Sequence, residues 1–185
     1  SFACGGASRS FVGANGSFDK EHSFYKGTLS DLVFESTFTD PITLISPVNF
    51  NYNLTSGEGL VSAVEISDGK ATLNVDKTAI TANLIKTKLK LEGFDLNYLN
   101  TLSPRTFHMS GKVDLKAALE VINGKPDVKA EIDSPYGLIN VPNYHIAYDA
   151  FNVKASFNQN QAELKVKTSL SHDDGDLNAD IIIHE

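Results

Sequence analysis

GKVDLKAALEVINGKPDVKAEID, residues 111 to 133, is the stretch from which the fold can be read. Val113, Leu115, Ala117, Leu119 and Val121 fall on odd positions, and Lys112, Asp114, Lys116 and Glu120 fall between them. A period of two puts the apolar side chains on one face of an extended strand and the charges on the other. Asn123-Gly124-Lys125-Pro126 interrupts the pattern, and Val128, Ala130 and Ile132 restart it. Asn-Gly between two alternating runs predicts an antiparallel hairpin.

The same unit recurs toward the C-terminus. Ser134-Pro135-Tyr136-Gly137 turns the chain, and residues 138–141 and 144–148 read as two short strands around Pro142-Asn143. Phe151, Val153, Ala155 and Phe157 alternate with polar residues, as do Ala162, Leu164, Val166, Thr168 and Leu170 after the polar turn 158–161. His172-Asp173-Asp174-Gly175 turns once more, and Leu177, Ala179, Ile181 and Ile183 complete the series. Strand, tight turn and strand in succession predict a meander.

Toward the N-terminus the reading is less regular. Ser17 to Lys20 ends a strand at a polar turn, Glu21-His22, and Phe24 to Phe34 suggests two short strands broken near Gly27 and Ser30-Asp31. Pro41 and Pro47 frame residues 42–45 as an edge-like segment. Val48, Phe50, Tyr52 and Leu54 alternate with asparagines, and further strands follow at 60–66 and 71–75. Phase changes after Asp76-Lys77 and again near Ile85 predict turns or bulges within a continuing sheet. Residues 93–104, GFDLNYLNTLSP, stand apart: Asp95 can cap one short helix near 95–103, carrying Leu96, Leu99 and Leu102 and stopped by Pro104.

Composition narrows the function classes. The 185 residues are 41% hydrophobic and 21% charged, which suits one elongated unit over 1–185, with a weak division near 93–104. A net charge of −7 argues against a nucleic-acid partner, which needs a basic face. No apolar run reaches the length of a membrane-spanning helix, and the first residues lack the charged and apolar regions of a signal peptide, so the chain reads as a fragment. Cys4 is the one cysteine; it forms no internal disulfide and no multi-cysteine metal site, and reads as an ordinary half-buried thiol rather than a lipid attachment point. His22, His108, His145, His172 and His184 are scattered, with no metal-ligand spacing, and the acidic turn Asp173-Asp174-Gly175-Asp176 lacks the ligand ladder of a calcium loop. No nucleophile elbow or dinucleotide loop is present. The expectation is a non-enzyme with no metal and no cofactor.

A one-faced sheet must cover its apolar side, and helices are not available to do so. It can close as a sandwich or barrel, in a binding or adhesin-like module working through its loops, or it can curl into a trough finished by something else. The fold expected here is all-β: a curled, antiparallel-rich sheet forming an open hydrophobic groove, a half-pipe. Ten to twelve strands ~4.8 Å apart would make that groove roughly 50 Å long. Its expected lining is Val113, Leu115, Leu119, Val128, Ile132, Val153, Phe157, Leu164, Val166, Leu177 and Ile181. No polar residue interrupts this face in the second half, so the expected ligand is phospholipid or another apolar cargo.

Gly16 to Leu32, GSFDKEHSFYKGTLSDL, resembles a segment of the TamB family, the inner-membrane component of the translocation and assembly module. LEGFDLNYLNTLSP, SGKVDLKAAL, GKPDVKAEI and QAELKVKTSL follow in the order seen in that family, so the resemblance covers residues 16 to 185. It implies a greasy, taco-like half-pipe, shared with AsmA-like proteins, in a periplasmic protein anchored in the bacterial inner membrane by a segment outside this chain. It also implies a TamA-like outer-membrane barrel as partner, nascent outer-membrane proteins as clients, and passage of phospholipid between membranes. On this resemblance the chain is expected to come from the central-to-C-terminal part of such a protein.

Overall fold

The computed structural model describes residues 8–37, 40–101, 107–158, 161–170 and 176–184. Cys4, Leu102, Pro104 and the turn residues 172–175 lie outside them. The strands are β1 (Ser8–Asp19), β2 (Phe24–Ser36), β3 (Ile42–Leu44), β4 (Val48–Asn53), β5 (Glu58–Val61), β6 (Val64–Ser67), β7 (Thr72–Val75) and β8 (Thr78–Ile80). They continue as β9 (Leu84–Asp95), β10 (His108–Ile122), β11 (Lys125–Ser134), β12 (Gly137–Val141), β13 (Tyr144–Asn158), β14 (Gln161–Leu170) and β15 (Asp176–His184). All belong to one sheet, and every pairing is antiparallel.

The element order hides a simpler topology. β3 and β4 lie end to end against one edge of β2. They pair in turn with β6 and β5, and those with β7 and β8, which both pair with β9. Likewise β12 and β11 lie end to end between β10 and β13. Each such couple is one broken strand, so the sheet is an up-and-down meander of eleven rows. Every row follows its sequence neighbour, as the short polar turns demand.

Two local expectations are corrected. Phe24 to Phe34 is part of a single strand, because Ser30 is absorbed as a bulge opposite Gly13 and Ala14. Residues 42–44 are interior, paired on both sides, because Pro41 and Pro47 flank the strand and remove no donor from its ladder.

The breaks explain the changes of phase. Val75 pairs with Leu89 and Ile80 with Ile85, so the offset at Asp76-Lys77 returns the apolar residues to one side. On β9, Gly93 (φ +70) supplies the extra residue that keeps Leu91 and Phe94 facing Leu115 and Val113. A left-handed φ is open to glycine at little cost. The apolar face therefore extends from Phe18–Tyr25 at one side to Val153–Val166 at the other.

Among the described residues no second layer closes over that face. Among the described residues only Val48, Ala71, Leu96 and Tyr148 are buried hydrophobics. The accessible surface is 12535 Å², against about 8,700 Å² for a compact monomer of 20.1 kDa. The excess is what a single uncovered sheet requires.

The expected helix is a 3-10 helix, Leu96–Thr101. Polar bonds rather than an apolar stripe hold it. Asp95 accepts from the Asn97 amide at 2.9 Å, and Asn100 both accepts from the Met109 amide and donates to its carbonyl. Leu96 is buried, but Leu99 remains 37% exposed. Tyr98 donates to Asp68 in the turn between β6 and β7 at 3.1 Å.

Burial pushes the Asp68 carboxyl up, but the Ala71 and Lys70 amides and the Tyr98 hydroxyl outweigh it and hold the group below the usual carboxylate range. With its folded value depressed, the stabilisation is present above the ordinary carboxylate pKa and is lost as pH falls through the folded value. Carbon-detected titration of Asp68 is expected to give a midpoint below the usual range, moving back up in Tyr98→Phe. An unchanged midpoint in that variant would remove Tyr98 from the account.

Candidate functional site

The candidate site is the apolar face over β9 to β15, and register builds it. Leu115 pairs with Leu91 on one side and Ile132 on the other, and Ile132 pairs with Val153, which pairs with Val166. In the next row Leu119 pairs with Val128, and Val128 with Phe157. Val113 pairs with Phe94. Leu164 pairs with Ile181, and Thr168 with Leu177. Directly paired residues share a face, so Val113, Leu115, Leu119, Val128, Ile132, Val153, Phe157, Leu164 and Val166 stand on the same side of one sheet, and Leu177 and Ile181 join them by backbone pairing.

Their exposure fits a surface rather than a core. Val113, Leu115, Leu119, Val128, Ile132, Val153, Leu164 and Val166 are half-buried, and Phe157 is 49% exposed. A shallow cleft of about 440 Å³ opens between Val128, Phe157 and Leu164. Ala130, Ala155 and Ala162, members of the alternating series though not of the expected lining, also line it. Ala130 pairs with Ala155, Ala155 with Leu164 and Ala162 with Phe157, an arrangement legible only once the register of β11, β13 and β14 was known. Leu73, Leu89 and Leu91 extend the same face toward the N-terminus, a continuation signalled by the alternation of residues 85–91.

One expectation fails in detail. Polar residues do interrupt this face: Thr87 opposite Leu119, and Ser134 and Thr168 flanking Phe151. Their hydroxyls are already engaged. Ser134 donates to the Lys112 carbonyl at 2.7 Å, Thr168 to the Ala150 carbonyl at 2.9 Å, and Thr87 accepts from Thr78 at 2.7 Å. A buried hydroxyl spent on a backbone carbonyl presents little polarity to a ligand.

At the upper end of this face the sheet creases. Tyr148 is buried to 4% exposure, its hydroxyl 2.9 Å from that of Ser134 and its ring 5.9 Å from Phe151. The ring lies over Gly137, where a Cβ would fall inside it, so the broken strand β11–β12 is pinned at glycine and released at Pro135-Tyr136. Aromatic cover of a sheet glycine restores packing that the missing side chain forfeits.

The opposite face carries the charges in cross-strand pairs. Lys154 contacts Glu131 at 2.9 Å, Lys86 contacts Glu120 at 3.4 Å, and Lys165 contacts Glu163 on its own strand at 2.7 Å. Lys154 first, then Asn152, donate to Glu131 and hold its carboxyl below the usual range. Among the described residues no cluster of ligating side chains could hold a metal ion, and no helix is long and apolar enough to cross a membrane.

A family model described as TamB, N-terminal domain, matches residues 8–185. The match names the N-terminal domain, not the central-to-C-terminal part that the resemblance implied. No curated protein and no solved structure matches the chain.

Proposed function

The chain belongs to the TamB family, and from that premise we propose that its apolar face carries the acyl chains of phospholipid, or shields other apolar cargo, on the way between inner and outer membranes. At the level of the family the role is in outer-membrane protein assembly and lipid transport, by an inner-membrane-anchored periplasmic protein associated with a TamA-like partner. The finer reading rests on one observation: a largely apolar face across the sheet that, among the described residues, no other layer covers.

The proposed mechanism is passive and non-enzymatic. Each methylene leaving water for the face gains ~0.8 kcal/mol. Because its hydroxyls are engaged within the protein and it carries no charge, cargo meets no deep trap and slides along the strands' common side. Curling of the sheet around the cargo as a half-pipe would raise the buried area per chain. Nascent outer-membrane proteins, whose strands are apolar on alternate residues, are a second class of client for the same surface.

A photo-reactive residue at Leu115, with Lys116 as control, tests this in the bacterial envelope. Their opposite faces are fixed by one residue of register. Lipid adducts at position 115 and none at 116 are expected. Equal labelling at both, or none at either with the sheet intact, would overturn the reading and favour a closed or loop-based binding module.

A further inference from the structure

The charged face holds a cleft of its own, larger than the apolar one at about 610 Å³. Six lysines line it against three carboxylates, Asp76, Glu131 and Glu163, in a chain whose net charge is −7. That local reversal of sign is not explained by ion pairing. Glu131 is engaged by Lys154 and Asn152, and Glu163 by Lys165. Lys88, Lys116 and Lys129 have no carboxylate within 4.0 Å among the described residues, although Lys116 stands opposite Glu131 and its charge helps Lys154 to hold that carboxyl low.

These three are neighbours across the sheet and line the same cleft. Lys88 and Lys129 pair with Ala118 from either side, and Lys116 stands two residues before Ala118 on the same strand and face. Across two strand spacings the Lys88 and Lys129 backbones are about 10 Å apart, within joint reach of two four-carbon stems. Ala118 leaves the space between them open, and Ser156, paired with Lys129, adds a hydroxyl with no protein partner among the described residues. Lys90 sits directly opposite Lys116. Lys90 is ion-paired with Glu92 at 2.6 Å and Lys116 stands opposite Glu131 on its other side, which offsets part of the repulsion between them.

We propose that this cleft binds a phosphate group, held by the Lys88, Lys116 and Lys129 ammonium groups and the Ser156 hydroxyl over the Ala118 floor. The donor set selects the ligand. Planar carboxylates are best matched by the bidentate fork of arginine, and the cleft has no arginine. Three compact point charges from three strands suit a tetrahedral oxyanion bearing one to two charges. The site lies on the face opposite the apolar one and does not depend on the proposed lipid path.

The phosphate could be free in solution or part of an anionic lipid headgroup, and the two are separable. The chain is titrated by amide NMR with inorganic phosphate and with glycerol phosphate at constant ionic strength. Co-sedimentation is run with phosphatidylcholine vesicles with and without phosphatidic acid. Shifts clustered on residues 88, 116–118, 129 and 156 are expected with the soluble anions if the source is free. Sedimentation only with phosphatidic acid is expected if it is a headgroup. The triple variant Lys88→Gln, Lys116→Gln, Lys129→Gln is expected to weaken whichever is seen about tenfold or more. Lys20→Gln, Lys26→Gln, Lys77→Gln carries the same change of charge elsewhere and is expected to bind as wild type. No response to either source, or equal loss in both triple variants, would overturn the site; amide spectra of each variant establish that the sheet is intact.

Discussion

Leu119→Glu is expected to abolish lipid capture by the apolar face while leaving the sheet folded. Leu119 sits in mid-strand between Thr87 and Val128 and is half-buried. Its backbone bonds do not depend on the side chain, and a carboxylate on an uncovered face keeps its water in the unloaded protein. Cargo changes that. An acyl chain lying across residue 119 strips the water from a charge that has no partner on this face, at a cost of several kcal/mol. That exceeds what a handful of methylenes return. Lipid adducts from a probe at Leu115 should fall by about tenfold or more. Val166→Glu, on β14, should act alike, because cargo sliding along one face must pass both. Wild-type adduct yields in both variants, with unchanged circular dichroism, would sink the proposed path.

The second large effect is on stability. Tyr148→Ala is expected to destabilise the chain by about 3–5 kcal/mol, the range for removing a large buried aromatic side chain. Tyr148 is one of only four buried hydrophobics among the described residues, so no surrounding core can collapse into the space. Its loss would also uncover Gly137 and strip Ser134 of one neighbour, at the point where β11 gives way to β12. Tyr148→Phe keeps the ring and loses only the hydroxyl contact. Because Ser134 still donates to Lys112, about 1 kcal/mol is expected there. Urea unfolding of the two variants separates ring from hydroxyl, and equal midpoints would show that packing at the crease contributes nothing.

The separation of these two effects follows from the architecture. In a closed sandwich Leu119 and Tyr148 would both be core positions and both would unfold the protein when replaced. In an open sheet one is a working surface and the other a structural pin. Register and burial distinguish them, and hydropathy does not.

Much of this was legible in the residues themselves. Alternation in 113–121, 151–157 and 162–170 defines both the strands and the face each side chain takes, because the strand period is two and allows no third direction. Asn123-Gly124, the polar turn at 158–161 and Pro142-Asn143 define the meander, since so few residues can only join antiparallel neighbours. From these alone the all-β class, the antiparallel order and the common face of Leu115, Val128 and Leu164 follow. What the sequence left open was decided by contacts distant along the chain. Whether a phase change is a turn or a bulge depends on the partner strand, so Ser30, Asp76-Lys77 and Gly93 were ambiguous until β1, β9 and β10 supplied their registers. The helical spacing of Leu96 and Leu99 became a 3-10 turn because hydrogen bonds to Asp68 and Met109 fix it and only Leu96 of the two is buried. The three lysines around Ala118 lie 13 to 41 positions apart in the chain, each an ordinary solvent-facing residue of its own strand. Only cross-strand pairing brings them to one cleft, because a charge has no periodicity that foretells its neighbour across a sheet.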